Sequence, residues 1–172
     1  MPITHEHIKE KLSTHLGEHL VAWEESYGMA CATVKAEHNL KTLTFLHDEP
    51  SLGFRFLTDL TAVHYPDRKG EELAVVYHLH NLVENTRLRI KIYVPIETPN
   101  VYTATGLFSG ANWMERETYD FFGVNFVGHP NLIRVLNVDE MDYFPLRKEF
   151  PLEDQTRIDK DDEMFGRGGT IK

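Results

Sequence analysis

The sequence predicts an α+β domain in which a β-sheet packs in two layers against helices. Apolar residues recur at helical spacing in two early segments, which indicates amphipathic helices. Two later runs alternate apolar and polar residues, which is typical of paired strands. Because helices and strands do not alternate strictly, the pattern does not fit a parallel α/β fold. With 172 residues, 41% of them hydrophobic, the chain can form one core.

The first part of the chain supplies helices and short strands. In order, they are a helix through Ile8, Leu12 and Leu16 with Thr4 as its N-cap, strands over Leu20–Trp23 and Met29–Lys35, and a helix through Leu40, Leu43, Leu46 and His47. The segment Phe54–Val63 mixes apolar and polar residues and is expected to lead into a strand. The turn between the first two strands falls at Ser26-Tyr27-Gly28, and a second turn falls at Tyr65–Gly70.

The clearest pattern is a β-hairpin. Its strands cover Leu73–His80 and Arg87–Val94, with a turn around Glu84-Asn85. On the second strand the apolar residues face one way, and three cations, Arg87, Arg89 and Lys91, face the other. On a chain of net charge -9, this basic face has two interpretations: a solvated strand surface, or a docking surface for an acidic partner.

A helix is predicted over Asn112–Gly123. Asn112 is the expected N-cap, Glu115 can reach back to it in a capping box, and Gly123 fits the left-handed position after the last turn. The helix also carries Glu117 and Asp120 among four aromatic rings. Carboxylates held near apolar surface need partners.

These carboxylates have two interpretations. Arg116 and Asp120 are four residues apart and can form an ion pair in a network that fixes the helix. Alternatively, Glu117 and Asp120 share a face and form a general acid/base pair, as in a free-standing hydrolase. We favour the structural network, because two acids on one helix are common and no nucleophile accompanies them.

Several classes of function lack a basis in the sequence. The acidic balance argues against a nucleic-acid binder, and the single cysteine, Cys31, cannot hold an iron–sulfur cluster. Neither a dinucleotide-binding nor a triphosphate-binding glycine loop is present. His78 and His80 lie on one side of a strand, but a metal site needs a third ligand, such as His47 or His64. No apolar run is long enough to span a bilayer and no signal peptide is evident, so we expect a cytoplasmic protein.

The periodic patterns fade after the helix, and prolines follow. We therefore predict a core domain over residues 1–128 and an extended arm over residues 129–172. Within the arm, Pro145–Leu152 carries apolar side chains with little local core to enter, which predicts docking on another protein.

The order of these segments resembles one known family, the 30 kDa subunit of respiratory complex I (NADH:quinone oxidoreductase), which is also called its C subunit. The resemblance covers about Asp59–Leu152. It depends on Asp59–Asp67, Val75–Leu79, Arg87–Lys91, Gly110–Trp113, Glu115–Gly123, Gly128–Leu132 and Pro145–Leu152. Two departures lie in the arm: Ile133 stands where the family usually has a basic residue before Arg134, and Tyr143-Phe144 replaces a Gly-His pair.

The resemblance implies a mixed sheet and a place beside the quinone-site subunits D and B in the hydrophilic arm. It implies no cofactor in this chain, with iron–sulfur clusters, FMN and quinone on partner subunits. It also implies a peripheral location on the cytoplasmic side of the cell inner membrane. Residues expected to contact partners are His129, Pro130, Arg134, Pro145, Leu146, Arg147, Lys148, Phe150 and Pro151, whereas Glu115, Arg116, Glu117 and Asp120 form the structural helix. The equivalent subunit of a membrane-bound hydrogenase or a ferredoxin-driven complex is the alternative.

Overall fold

The computed structural model describes residues 3–150, which form a five-stranded sheet, a small second sheet and three α-helices. The elements are α1 His5–Leu16, β1 Leu20–Ser26, β2 Met29–Val34, α2 Asn39–Asp48, β3 Phe56–His64, β4 Leu73–Asn81, β5 Thr86–Val94, β6 Asn100–Tyr102, α3 Ala111–Phe122 and β7 Asn125–Val127, with single 3-10 turns at Gly17–His19 and Ala36–His38. The predicted α+β class is confirmed.

The first helix and the first hairpin have the predicted local chemistry. The Thr4 hydroxyl caps α1 by accepting a hydrogen bond of 3.2 Å from the backbone N–H of His7. The β1–β2 turn places Tyr27 at φ 52° and Gly28 at φ 75°. Two successive positive φ angles are the type I′ geometry that matches the twist of paired strands. Strand β1 extends to Ser26, so it is longer than predicted.

The main sheet has the order β1-β2-β5-β4-β3. All neighbouring strands are antiparallel except β2 and β5, which run parallel with Ala32 opposite Ile90. The sheet is therefore mixed, as expected. The predicted hairpin is β4–β5, in which Tyr77 pairs with Ile90 and His78 pairs with Arg89.

The two faces of the sheet have opposite character. The inner face joins the three α-helices in one apolar core, whose members include Leu12, Leu46, Tyr77, Ile90 and Phe122. The outer face carries the predicted cations of β5, and one row across it runs Glu24, Cys31, Arg89, His78, Asp59. The period-two pattern thus identified correctly which side of the sheet is covered.

The β6–β7 ladder was not predicted. These two strands of three residues pair in parallel, with Val101 opposite Phe126. They bracket α3 in the chain, so one small sheet joins the segments before and after the helix. Strands of this length are too short to show a period, which is why no sequence pattern indicates them.

Residues 129–150 form turns and irregular chain without a helix or strand. They are nevertheless attached to α3 through side chains of the arm. Pro151 and the rest of the predicted arm lie outside the described residues, so the boundary between core and arm stays a prediction. None of the helices in residues 3–150 combines the length and the hydropathy that a bilayer span requires.

Candidate functional site: the buried carboxylates of helix α3

Helix α3 begins at Ala111, two residues before the start expected from an N-cap at Asn112. Gly110 occupies the N-cap position and makes no side-chain cap, so the assignment of Asn112 as N-cap was wrong. The cause is the preceding turn, which runs directly into the helix: the backbone N–H of Ala111 donates to the carbonyl of Phe108 at 3.0 Å. The C-terminal prediction was right, because Gly123 ends the helix in the left-handed region at φ 77°.

Glu115 does not form a capping box. Its carboxylate is completely buried and points to the loop before the helix, where it accepts hydrogen bonds from the Thr103 hydroxyl and from the backbone N–H of Ala104, the latter at 2.6 Å. Burial raises the pKa of Glu115 to about 7, although these two hydrogen bonds oppose the shift. Glu115 thus joins α3 to the segment that follows β6.

Asp120 is the centre of a second buried polar cluster. Its carboxylate pairs with Arg134 at 2.8 Å, and both side chains are almost fully removed from solvent. The same carboxylate accepts hydrogen bonds from the backbone N–H groups of Val135, Leu136 and Asn137 at 2.8–3.0 Å. Asp120 is therefore the point at which α3 holds the start of the arm.

The electrostatics of Asp120 follow from these contacts. Burial raises the pKa of its carboxyl, but the three backbone donors and the Arg134 guanidinium outweigh burial and hold the pKa well below its usual range. Arg134 itself is fully engaged, since it also donates to the carbonyls of Asp120, Met141 and Tyr143 at 2.7–3.1 Å. The pair is a desolvated structural anchor.

The predicted ion pair between Arg116 and Asp120 was wrong. Arg116 turns away from Asp120, stacks on Trp113 with 4.6 Å between the guanidinium carbon and the ring centroid, and donates to the carbonyls of Ile133 and Arg134 at 3.2 and 3.3 Å. Helical spacing favours an ion pair between residues four apart. The buried Asp120 carboxylate pairs with Arg134 instead, because the residues that follow Arg134 also donate their backbone N–H groups to it.

The acid/base interpretation of Glu117 and Asp120 has no geometric support. Glu117 is exposed and forms no salt bridge within residues 3–150, whereas Asp120 is fully buried. The Asp120 carboxylate is already occupied by the Arg134 guanidinium, three backbone N–H groups and the side-chain amide of Asn137. A general acid or base must reach a substrate proton. Asp120 offers no such access, so the two acids cannot share a reacting group.

Several residues expected to contact partners also hold the arm in place. Arg147 donates to the carbonyl of Phe122 at 2.8 Å and stacks on Phe144 at 4.6 Å, and the backbone N–H of Lys148 donates to Nδ1 of His64 at 2.9 Å. The His129 ring contacts the Asn112 carbonyl at 3.1 Å and accepts from the Asn131 backbone at 3.0 Å. The partner-contact role of these residues stays a prediction.

The remaining arm residues are mixed in exposure. Pro130 and Leu146 are exposed, whereas Pro145 and Phe150 are partly buried, the latter against Tyr143 at 4.9 Å between ring centroids. Further large apolar side chains project into solvent along the described arm and beside it. They are Trp113, Ile133, Leu136, Val138 and Tyr143. We call this set, with Leu146, the arm surface.

The structure does not assemble the histidines that were candidates for a metal site in the sequence. His78 accepts from Arg89 at 2.9 Å, His80 contacts Asn85 at 3.1 Å, and His64 is held by the Lys148 backbone. His47 contacts its neighbour Asp48 at 2.7 Å. Each ring has a local partner, and no third ligand joins His78 and His80 within the described residues.

Comparison with known proteins gives concordant results. Residues 32–156 match the family model described as the respiratory-chain NADH dehydrogenase 30 Kd subunit. A relative in Azorhizobium caulinodans, the C subunit of NADH-quinone oxidoreductase, is 42% identical over 145 residues, which cover 84% of this chain and 68% of the relative.

Two solved structures share the fold. A trypsin-resistant fragment (1-134) of Nqo5 is 31% identical with a TM-score of 0.62, over 73% of this chain and 98% of that one. A chain from the membrane-bound sulfane sulfur reductase, an archaeal respiratory membrane complex, has a TM-score of 0.72 at 22% identity, over 97% of this chain and 94% of that one. The second likeness concerns the fold alone.

Proposed function

Because the chain belongs to the family of the 30 kDa subunit of respiratory-chain NADH dehydrogenase, we propose that it serves as the C subunit of NADH-quinone oxidoreductase. In this role it is a non-redox subunit of the hydrophilic arm, peripheral to the cytoplasmic side of the inner membrane. It braces subunits D and B, which form the quinone site. Iron–sulfur clusters, FMN and quinone belong to the partner subunits.

The arm surface is the observation that carries this proposal. Leu136 is 67% exposed and Val138 is 62% exposed, yet the backbone beneath them is fixed by the buried Asp120–Arg134 pair. Exposed apolar side chains on a fixed backbone are typical of a surface prepared for a partner, because little ordering remains to oppose binding.

The carboxylates support a brace better than a catalyst. Glu115 and Asp120 are both buried and accept hydrogen bonds from within the protein, and each joins α3 to a neighbouring segment. Supporting interactions of this kind hold the geometry of a site that lies elsewhere. The proposed work of this chain is therefore to keep the quinone-site subunits in register.

The equivalent subunit of a related complex is the second candidate. The likeness to a chain of the sulfane sulfur reductase extends only to the fold, so it does not separate the two candidates. Relatives at about 40% identity carry the NADH-quinone oxidoreductase name, which favours the first candidate. Neighbouring genes for NADH- and flavin-binding subunits support the first, and a gene for a nickel-binding large subunit supports the second.

Charged substitutions on the arm surface test the proposal. Leu136→Glu and Val138→Glu are combined in the full-length gene, and the matched control is Val83→Glu, at a side chain that is 91% exposed in the β4–β5 turn. All three side chains point to solvent, so the isolated proteins keep their stability. The proposal predicts that only the double variant loses membrane NADH:quinone reductase activity and assembled complex in a strain lacking the native gene. Full activity of the double variant contradicts docking through this surface.

A further inference from the structure

Three metal-ligating side chains meet at the two 3-10 turns, far from the carboxylates of α3 in the sequence. His19 ends the turn at Gly17–His19, and Glu37 and His38 end the turn at Ala36–His38. The β1–β2 pairing brings the two turns together, because Leu20 lies opposite Val34. The backbone N–H of Lys35 also donates to the carbonyl of His19 at 3.1 Å. The sheet therefore fixes the backbone of both turns.

The side chains of this cluster approach one another closely. His19, Glu37 and His38 each present a ligand atom, and the three atoms lie within 4.8 Å of one another. No other group of three such residues comes together in the described part of the chain. The His38 Nε2 lies 3.8 Å from the Glu37 carboxylate, and the imidazole rings of His19 and His38 stack with centroids 3.6 Å apart.

One ring nitrogen of the cluster lacks a partner. Nδ1 of His19 is buried and makes no hydrogen bond with any residue that the structure describes. Buried polar atoms are nearly always satisfied, so this nitrogen is an exception that needs a reason. Nε2 of His15 is also buried without a hydrogen bond, but His15 stacks on Phe45 and joins no cluster of possible ligands among the described residues. The rings of His47, His64, His78 and His80 each have a hydrogen-bond contact.

We propose that His19, Glu37 and His38 bind a divalent metal ion of the zinc class. Two imidazoles and one carboxylate are a ligand set that zinc accepts, with a fourth position left for water. The net charge of -9 favours a cation in general. Ring stacking involves only His19 and His38, whereas a bound ion would account for all three side chains of the cluster.

Binding requires a defined local change. Zinc lies near the plane of each imidazole at about 2.0–2.1 Å from nitrogen, whereas the two rings are within 22° of parallel. One ring must therefore turn out of the stack. The Glu37 side chain is 70% exposed and moves in to complete the set. The fixed turns supply the frame, and only side-chain torsions change.

Zinc titration of the full-length chain tests the site. The protein carries no polyhistidine tag, and binding is measured by competition with a chromophoric chelator at about pH 7.5, where an ordinary imidazole is neutral and free to ligate. We expect one equivalent of zinc bound, at least tenfold weaker binding for His19→Ala and for His38→Gln, and a smaller loss for Glu37→Gln. The matched control is His47→Ala, since His47 beside Asp48 is a histidine–carboxylate pair without a second histidine. This variant should bind zinc as the unaltered chain does.

A second measurement needs no variant. In the unaltered chain, zinc should shift the ring-proton resonances of His19 and His38 as the stack opens, and leave those of His78 and His80 in place. Absence of a one-to-one complex overturns the proposal. So does tight binding that persists in both histidine variants, or a zinc response confined to other histidines.

Discussion

The Asp120–Arg134 pair offers the sharpest test of how the arm is held. Asp120→Asn keeps the shape of the side chain, but removes the negative charge and turns an amide nitrogen toward backbone donors. The buried Arg134 guanidinium then has no counter-charge within the cluster, and up to three backbone N–H groups, at 2.8–3.0 Å in the unaltered chain, lose a strong acceptor. Removing one member of a buried ion pair costs about 3–5 kcal/mol.

Urea denaturation of the full-length chain measures this loss as a decrease in the free energy of unfolding. Hydrogen exchange locates it, because the amides of Val135, Leu136 and Asn137 should exchange faster in the variant, while those of β4 and β5 should exchange faster only if the loss is global. The matched control is Glu117→Gln on the exposed side of α3, with an expected change within about 0.5 kcal/mol. A loss below about 1 kcal/mol together with unchanged exchange at residues 135–137 would refute the anchor.

Three further predictions concern the surroundings of this anchor. Because the pKa of Glu115 is raised to about 7 from 4.5, its contribution to stability is fully present below about pH 4.5 and is lost as pH rises through about 7. In urea titrations between about pH 5 and pH 8, the free energy of unfolding of Glu115→Gln should therefore rise by up to about 3 kcal/mol relative to that of the unaltered chain. A difference between the two proteins that does not change with pH contradicts this prediction. Gly123→Ala should lose about 1–3 kcal/mol in thermal unfolding, since φ is +77° and the new methyl would lie 2.5 Å from the Phe144 ring. Unchanged stability would contradict both the left-handed backbone at Gly123 and the packing of Phe144 against it. Arg147→Gln removes the bond to the Phe122 carbonyl and the stack on Phe144, so tryptic cleavage at Lys148 should accelerate, and an unchanged cleavage rate argues against this contact.

Local patterns predicted most of the fold correctly. The alternation of β4 and β5, the helical spacing of Ile8, Leu12 and Leu16, and the cap at Thr4 are short-range signals, and the structure contains each of them. The parallel pairing of β2 with β5 was expected only through the family resemblance to a mixed sheet, because segments far apart in the chain leave no periodic trace of their pairing.

The candidate site was predicted in its members but not in its contacts. Glu115 and Asp120 were identified, but the sequence suggested partners within the helix. The true partners are Thr103 and Ala104 for one carboxylate and Arg134, 14 residues away, for the other. Burial determines these partners, because a desolvated carboxylate needs several hydrogen-bond donors at once. Irregular backbone has free N–H groups to donate, whereas those within a helix are already bonded to helix carbonyls. The Arg134 side chain, which was expected to contact a partner, pairs with Asp120 within the chain. The spacing of residues along the sequence does not reveal this pair.

The cluster of His19, Glu37 and His38 was missed for a related reason. Its members are separated by the whole β1–β2 hairpin, and neither turn carries a recognised metal-binding spacing. Only the observed register, with Leu20 opposite Val34, brings the turns together.

Recovery of the chain from native membranes is the decisive measurement for its proposed role. The chain is expressed with an affinity tag from its native gene, and the membranes are solubilised in a mild detergent. The captured proteins are identified by mass spectrometry, and their NADH:quinone reductase activity is assayed. We expect the chain to be captured with subunits D and B in an assembly that reduces quinone with NADH. Recovery as a free monomer, or with a hydrogenase large subunit and no NADH-dependent activity, would contradict the proposed function.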